Sequence, residues 1–128
     1  MPYGAPMAKI LVIDDVPEVR SMLSRWLRQA GHEVAEAEDG SDGLQRFCST
    51  AADLVITDLY MPENEGIETI VTMRKLFPTA KIIAMSGRLT SNSALQMAQQ
   101  LGAAGVLRKP FTVHQLESVI SHALASTG

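Results

Sequence analysis

The sequence predicts an α/β protein: a five-stranded parallel sheet, doubly wound, with helices on both faces. Three observations lead there. Short, continuous apolar runs recur along the chain, as expected of strands buried on both faces. Amphipathic segments of helical period separate them. Four of the runs also end in chemically active groups, namely Asp14-Asp15, Asp58, Ser86 and Lys109. In a parallel sheet the carboxyl ends of the strands converge on one crevice, where ligands bind. Carboxylates, a hydroxyl and an ammonium gathered there suit a divalent cation and a phosphoryl group.

Lys9 to Ile13 is the first strand and runs into Asp14-Asp15. Pro17 is a favoured first-turn residue, with Asp15 or Val16 near the N-cap. Val19, Leu23, Trp26, Leu27 and Ala30 then recur at helical spacing, and Gly31 closes the helix. His32 to Ala37 reads as a short strand centred on Val34 and Ala35. Asp39-Gly40-Ser41 opens a second helix carrying Leu44, Phe47 and Cys48. Leu54 to Thr57 delivers Asp58, and a loop with Pro62, Asn64 and Gly66 leads to a third helix bearing Ile67, Ile70, Met73 and Phe77. Pro78 stops it, since the residue before a proline disfavours the helical region. Ile82 to Met85 delivers Ser86. A fourth helix over about Ser91 to Leu101 ends at Gly102, and Ala103 to Leu107 delivers Arg108-Lys109-Pro110. Thr112 and Gln115 form a capping-box pair for a last helix with Val113, Leu116, Ile120 and Ala123 on its apolar face.

Composition bounds the function. The 128 residues match one domain, and 46% hydrophobic with 20% charged content is ordinary for a globular chain. A net charge of −3 and the lack of a basic cluster argue against nucleic acid or an anionic membrane as a direct partner. No apolar stretch approaches membrane-spanning length. Met1 to Met7 reads as a flexible tail rather than a secretory signal, with residues 8–126 as the domain. The single Cys48 forms no internal disulfide, which fits a cytoplasmic setting.

Taken together, these motifs resemble those of a response-regulator receiver domain, the phospho-acceptor module of two-component signalling, over nearly all of Ala8 to Ala125. The match rests on Asp14-Asp15, on Asp58-Leu59-Tyr60-Met61-Pro62 with Gly66 downstream, on Ser86-Gly87 and on Lys109-Pro110. Each motif alone is weak; all four in order, each after its own strand, are specific. The resemblance implies strand order 2-1-3-4-5, as in flavodoxin-like folds, and a cis bond before Pro110. It also implies a histidine kinase or phosphotransfer protein as phosphodonor, a downstream effector protein, and a monomer or weak dimer. No output domain is expected after the last helix. Apart from its own phosphorylation and dephosphorylation, such a switch catalyses nothing.

The chemistry follows residue by residue. Asp58 is the expected nucleophile, because a carboxylate can form an acyl phosphate. Asp15 and Asp58 are placed to hold Mg2+, with Asp14 contributing directly or through water and the Tyr60 backbone carbonyl completing the site. Mg2+ keeps several waters, so two carboxylates suffice. Lys109 supplies a second cation against the transferring phosphoryl. The Ser86 hydroxyl can donate to a phosphoryl oxygen once Asp58 is modified.

Blander readings compete. Asp14 or Asp15 could simply cap the first helix, Ser86-Gly87 could be an ordinary turn, and Lys109 a surface lysine. His32, His114 and His122 lack ligand spacing and are read as non-metal. Cys48 and most of the seven methionines are read as core filling. At the level of the whole chain, the alternatives are a non-phosphorylated interaction domain of the same fold, a Mg2+-dependent phosphohydrolase, and a flavin-binding protein. The phosphohydrolase lacks a second acid two residues after Asp58. The flavin binder lacks a phosphate-cradling loop after the first strand.

The sequence departs from the family pattern in places. Val106 stands where a family aromatic swings inward to report phosphorylation, and it is too short for that role. Ser86 replaces the commoner threonine. Tyr60 and Arg88 occupy positions that tune phosphate lifetime, and bulky Tyr60 is expected to obstruct the hydrolytic water. The expected output surface is the fourth helix, fifth strand and fifth helix. Asn92, Gln96, Gln99 and Gln100 on that helix suit a polar, reversible interface.

Overall fold

The third and fourth strands are buried at every position, which places them in the interior of the sheet and explains the apolar runs that precede their polar last residues. The computed structural model describes residues 8–60, 65–87 and 90–125. Elements alternate as β1 (Lys9–Ile13), α1 (Pro17–Gln29), β2 (Glu33–Ala37), α2 (Gly40–Thr50), β3 (Leu54–Asp58), α3 (Glu65–Leu76), β4 (Ile82–Ser86), α4 (Asn92–Gln100), β5 (Gly105–Arg108) and α5 (Val113–Ala125). All pairings are parallel, in the order β2-β1-β3-β4-β5. That is the predicted order. No described helix is long and apolar enough to cross a membrane.

Side-chain alternation sorts the core into two layers. One face of the sheet presents Ile10, Val12, Leu54, Ile56, Ile83, Met85 and Leu107 to Leu23 and Leu27 of α1 and Leu116, Ile120 and Ala123 of α5. The other presents Leu11, Ile13, Val55, Ile82 and Ala84 to Ile70 and Met73 of α3 and Leu95 and Ala98 of α4. The helix ends are chemically fixed. Asp39 accepts the Asp42 N–H, and Ser91 accepts that of Ala94. Thr112 and Gln115 exchange both capping-box bonds, at 2.9 and 3.0 Å. Gly31 and Gly102 take the positive φ that ends α1 and α4, whereas α2 ends on Ala51 at φ 51°.

Two expectations fail. Cys48 is exposed rather than in the core. It lies on the outer side of α2, whose inward face is set by Gly40, Gly43 and the flanking Leu44 and Phe47. Val113 is 43% exposed, because the first turn of α5 stands beyond the layer that buries Leu116 and Ile120. Of the methionines, Met73 and Met85 are core residues, and Met97 is exposed on α4. The tail, the Met61 to Asn64 loop and Arg88 lie outside the described residues.

Candidate functional site

Residues two apart on a strand share a face, and this places the site. On the α1/α5 face, Ile10 and Val12 lead to Asp14, Leu54 and Ile56 to Asp58, Ile83 and Met85 to Gly87, and Leu107 to Lys109. Each apolar ladder ends, where its strand stops, in a charged group or a glycine. Ser86 arrives from the opposite face after Ile82 and Ala84. The resulting crevice, of about 720 Å3, is lined by Asp15, Val16, Asp58, Tyr60, Gly87, Lys109 and Pro110.

The acids converge. Ligand oxygens of Asp14, Asp15 and Asp58 lie within 4.8 Å of one another. Asp14 and Asp58 are buried, at 0% and 4% exposure, while Asp15 is open to solvent. Lys109 Nζ stands 3.2 Å from Asp58 Oδ2 and 3.4 Å from Asp14 Oδ2. The Lys109–Pro110 bond is cis, and the Lys109 N–H donates to the Ser86 carbonyl at 2.7 Å, tying the end of β5 to the end of β4. Asp58 Oδ1 accepts the Tyr60 N–H at 3.1 Å. Burial pushes the Asp58 carboxyl above the ordinary range, with Asp14 adding to the rise; the Lys109 ammonium and the Tyr60 N–H oppose it.

Asp14 does not cap the first helix. Its Oδ1 accepts the Val16 N–H at 2.9 Å, two residues on, which closes a local turn rather than capping the helix. The N-cap position itself is Val16, with no side-chain bond, followed by Pro17 at the helix start. Asp14 Oδ2 is left facing the lysine. An all-oxygen donor set of three carboxylates, one of them exposed, fits a hard divalent cation that retains water.

The other predicted groups fall as follows. Ser86 is buried at the tip of β4, and Tyr60 lies half-exposed at the crevice rim. Val106 is half-buried on the α3/α4 face, away from the crevice side of the sheet. His114 and His122 are exposed on α5. His32 is buried, its Nδ1 accepting the Ala8 N–H and its Nε2 facing Glu117 at 3.3 Å.

Two further residues bear on the site. Gly66 packs so tightly under the end of β3 that a Cβ there would lie 2.5 Å from the Asp58 carbonyl oxygen and 2.7 Å from Leu59 Cα. Its position in the downstream motif signalled it. Arg20 donates to the Asp14 carbonyl at 2.7 Å. A cation near a helix N-terminus, against the helix dipole, was the only sequence signal for it.

Comparison with known proteins adds the following. Residues 10–121 match the family model described as response regulator receiver domain. The chain is 37% identical over 119 residues to the DNA-binding transcriptional regulator NtrC of Azospirillum brasilense, covering 93% of this chain and 24% of that protein. It is 35% identical over 104 residues to the chemotaxis protein CheY of Thermotoga maritima, covering 80% of this chain and 86% of that one. A receiver-domain protein from Clostridium thermocellum superposes with a TM-score of 0.85 at 33% identity, over 92% of this chain and 94% of that one. The chain spans about a quarter of the length of the NtrC relatives it matches.

Proposed function

The chain belongs to the response regulator receiver domain family, and from that premise we propose that it accepts a phosphoryl group on Asp58, with Mg2+ bound, from a histidine kinase or phosphotransfer protein. One observation carries the reading: Asp58 is nearly buried at the crevice floor, with an ammonium on one oxygen and two further carboxylates beside it. A structural acid needs one partner; this arrangement concentrates negative charge beyond what Lys109 balances.

In the transfer, an Asp58 carboxylate oxygen attacks phosphorus in line, the P–N bond to the donor imidazole breaks, and its electron pair stays on the ring nitrogen. The product is an acyl phosphate. Asp14, Asp15, Asp58 and the Tyr60 backbone carbonyl would hold Mg2+, which when bound would offset the negative charge brought together in the transfer. Lys109, already 3.2 Å from Asp58, neutralises charge on the incoming group. The Ser86 hydroxyl then donates to a phosphoryl oxygen, drawing the end of β4 inward. Gly87, which continues the crevice face without a side chain, leaves the space clear.

Residues 8–126 act as one switching unit in the cytoplasm. The added dianion biases the loops after β3 and β4, and the signal is read by an effector protein on α4, β5 and α5. Val106 cannot swing as an aromatic would, so the read-out runs through the loop and α4 rather than through a ring. Incubation with Mg2+ and acetyl phosphate, followed by intact mass, tests the chemistry. One Mg2+-dependent phosphoryl addition, absent from Asp58→Asn, is expected. No addition from acetyl phosphate or from any histidine-phosphorylated donor would leave a purely interacting domain.

A further inference from the structure

Asp14 is held from every side except one. Its N–H donates to the Ala37 carbonyl at 3.2 Å, extending the β1–β2 pairing by one residue. Its Oδ1 closes the turn onto Val16, and its Oδ2 faces Lys109. The remaining group is its carbonyl, which belongs to the Asp14–Asp15 peptide, where the chain leaves the sheet. The orientation of that peptide decides where the exposed Asp15 carboxylate points.

Arg20 fixes it. From the first turn of α1, its Nη1 donates to the Asp14 carbonyl at 2.7 Å, while its Nε pairs with Glu36 Oε1 on β2 at 3.3 Å. Glu36 is in turn braced at Oε2 by Arg28, at 3.8 Å. The Arg20 side chain is only 18% exposed, so the fork is a packed strut between α1, β2 and the acidic turn. A planar guanidinium holds its donors in a fixed fork that reaches both acceptors from separate nitrogens, a geometry that an ammonium on a flexible stem does not impose.

We propose that Arg20 is a positioning residue for the cation site, its Glu36-braced guanidinium locking the Asp14–Asp15 peptide so that Asp15 is presented to the metal. This rests on the reading of the acidic cluster as a Mg2+ site. The sign of the effect separates positioning from simple charge. As a bare positive charge near the cluster, Arg20 would repel the cation, and its removal would tighten Mg2+ binding. As a strut, its removal loosens a ligand and weakens binding.

The test is calorimetric titration of the full chain with Mg2+, alongside amide hydrogen exchange at Asp15 and Val16 in metal-free protein. Parent and Asp58→Asn are measured first; Mg2+ binding that is absent from the parent, or indifferent to Asp58, overturns the site reading and this inference with it. Given parent binding, Arg20→Met is expected to raise the Kd about 10-fold, the scale of losing a group that orients a metal ligand. Arg20→Lys, which keeps the charge, should move the same way. The Asp15 and Val16 amides should exchange faster, and phosphorylation at saturating Mg2+ should recover. An unchanged or lower Kd in Arg20→Met overturns the inference while the site reading stands. Should that variant fold poorly, Glu36→Gln carries the test through the amides: faster exchange at Asp15 and Val16 in metal-free protein supports the strut, and unchanged exchange removes it.

Discussion

Replacing Asp58 by Asn should stabilise the metal-free fold, because the geometry that equips this carboxylate for phosphoryl transfer is costly in its absence. At an effective dielectric of about 20, a carboxylate pair at the 4.8 Å outer limit of this cluster repels by about 3.5 kcal/mol. The Lys109 contact at 3.2 Å offsets this by about 5 kcal/mol. Asp15 is exposed, so its share of the repulsion is strongly screened. The charge terms therefore nearly cancel, and desolvation decides the sign. An ion as buried as Asp58 carries an effective penalty of several kcal/mol, which the neutral amide does not. Weaker hydrogen bonds from Tyr60 and Lys109 give back about 1–2 kcal/mol. A net gain of about 1–2 kcal/mol remains, or roughly 3–8 °C in Tm for a domain of this size. The pH dependence has a fixed sign. Folded Asp58 keeps its proton to higher pH than the unfolded chain does. Its contribution is therefore complete below the unfolded value, about 3.9, and is lost as pH rises through the folded one. Urea unfolding in chelator, from pH 4 to pH 7, should show that loss in the parent and a flatter profile in the variant. Saturating Mg2+ should narrow the gap by stabilising the parent alone. A variant no more stable than the parent in chelator would show that desolvation of Asp58 does not dominate its charge interactions.

Other variants extend the account. Lys109→Met should act oppositely to Asp58→Asn, costing about 2–4 kcal/mol without metal by leaving Asp14 and Asp58 uncompensated. It should also slow phosphorylation by acetyl phosphate about 100-fold, as read by denaturant unfolding and by rates of mass change. Gly66→Ala forces backbone apart beneath Asp58; a loss of about 2–3 kcal/mol in denaturant unfolding is expected, as for overpacking. Ala51→Gly relieves the one non-glycine residue of positive φ among those described and should raise stability by about 0.5–1 kcal/mol in the same assay. Tyr60→Ala opens the crevice rim, and the phosphorylated variant should lose phosphate faster than the parent when followed by intact mass over time.

The inner strands β1, β3 and β4 were legible because burial on both faces leaves a nearly continuous apolar run, and the acids because each sits where such a run stops. The same alternation that carries Val12 into Asp14 and Leu107 into Lys109 orders both the core and the crevice. The capping box at Thr112 and Gln115 was readable because its bonds are local. What stayed hidden depends on neighbours distant in sequence. Cys48 could not be placed without knowing that α2 turns only a narrow face to the sheet, nor Val113 without knowing where the α5 layer begins. His32 reads as a lone histidine until α5 brings Glu117 to it from 85 residues away. Arg20 spans six residues to Asp14 and sixteen to Glu36, so only the closed β1–β2 pairing joins the three.

The central claim is that Asp58, rather than either neighbouring acid, receives the phosphoryl group. Borohydride reduction of the protein after exposure to Mg2+ and acetyl phosphate converts an acyl phosphate to an alcohol, and peptide mass spectrometry locates the change. The account predicts homoserine at position 58, dependent on Mg2+, with Asp14 and Asp15 intact. Reduction at Asp14 or Asp15, or at Asp58 equally without Mg2+, would contradict it.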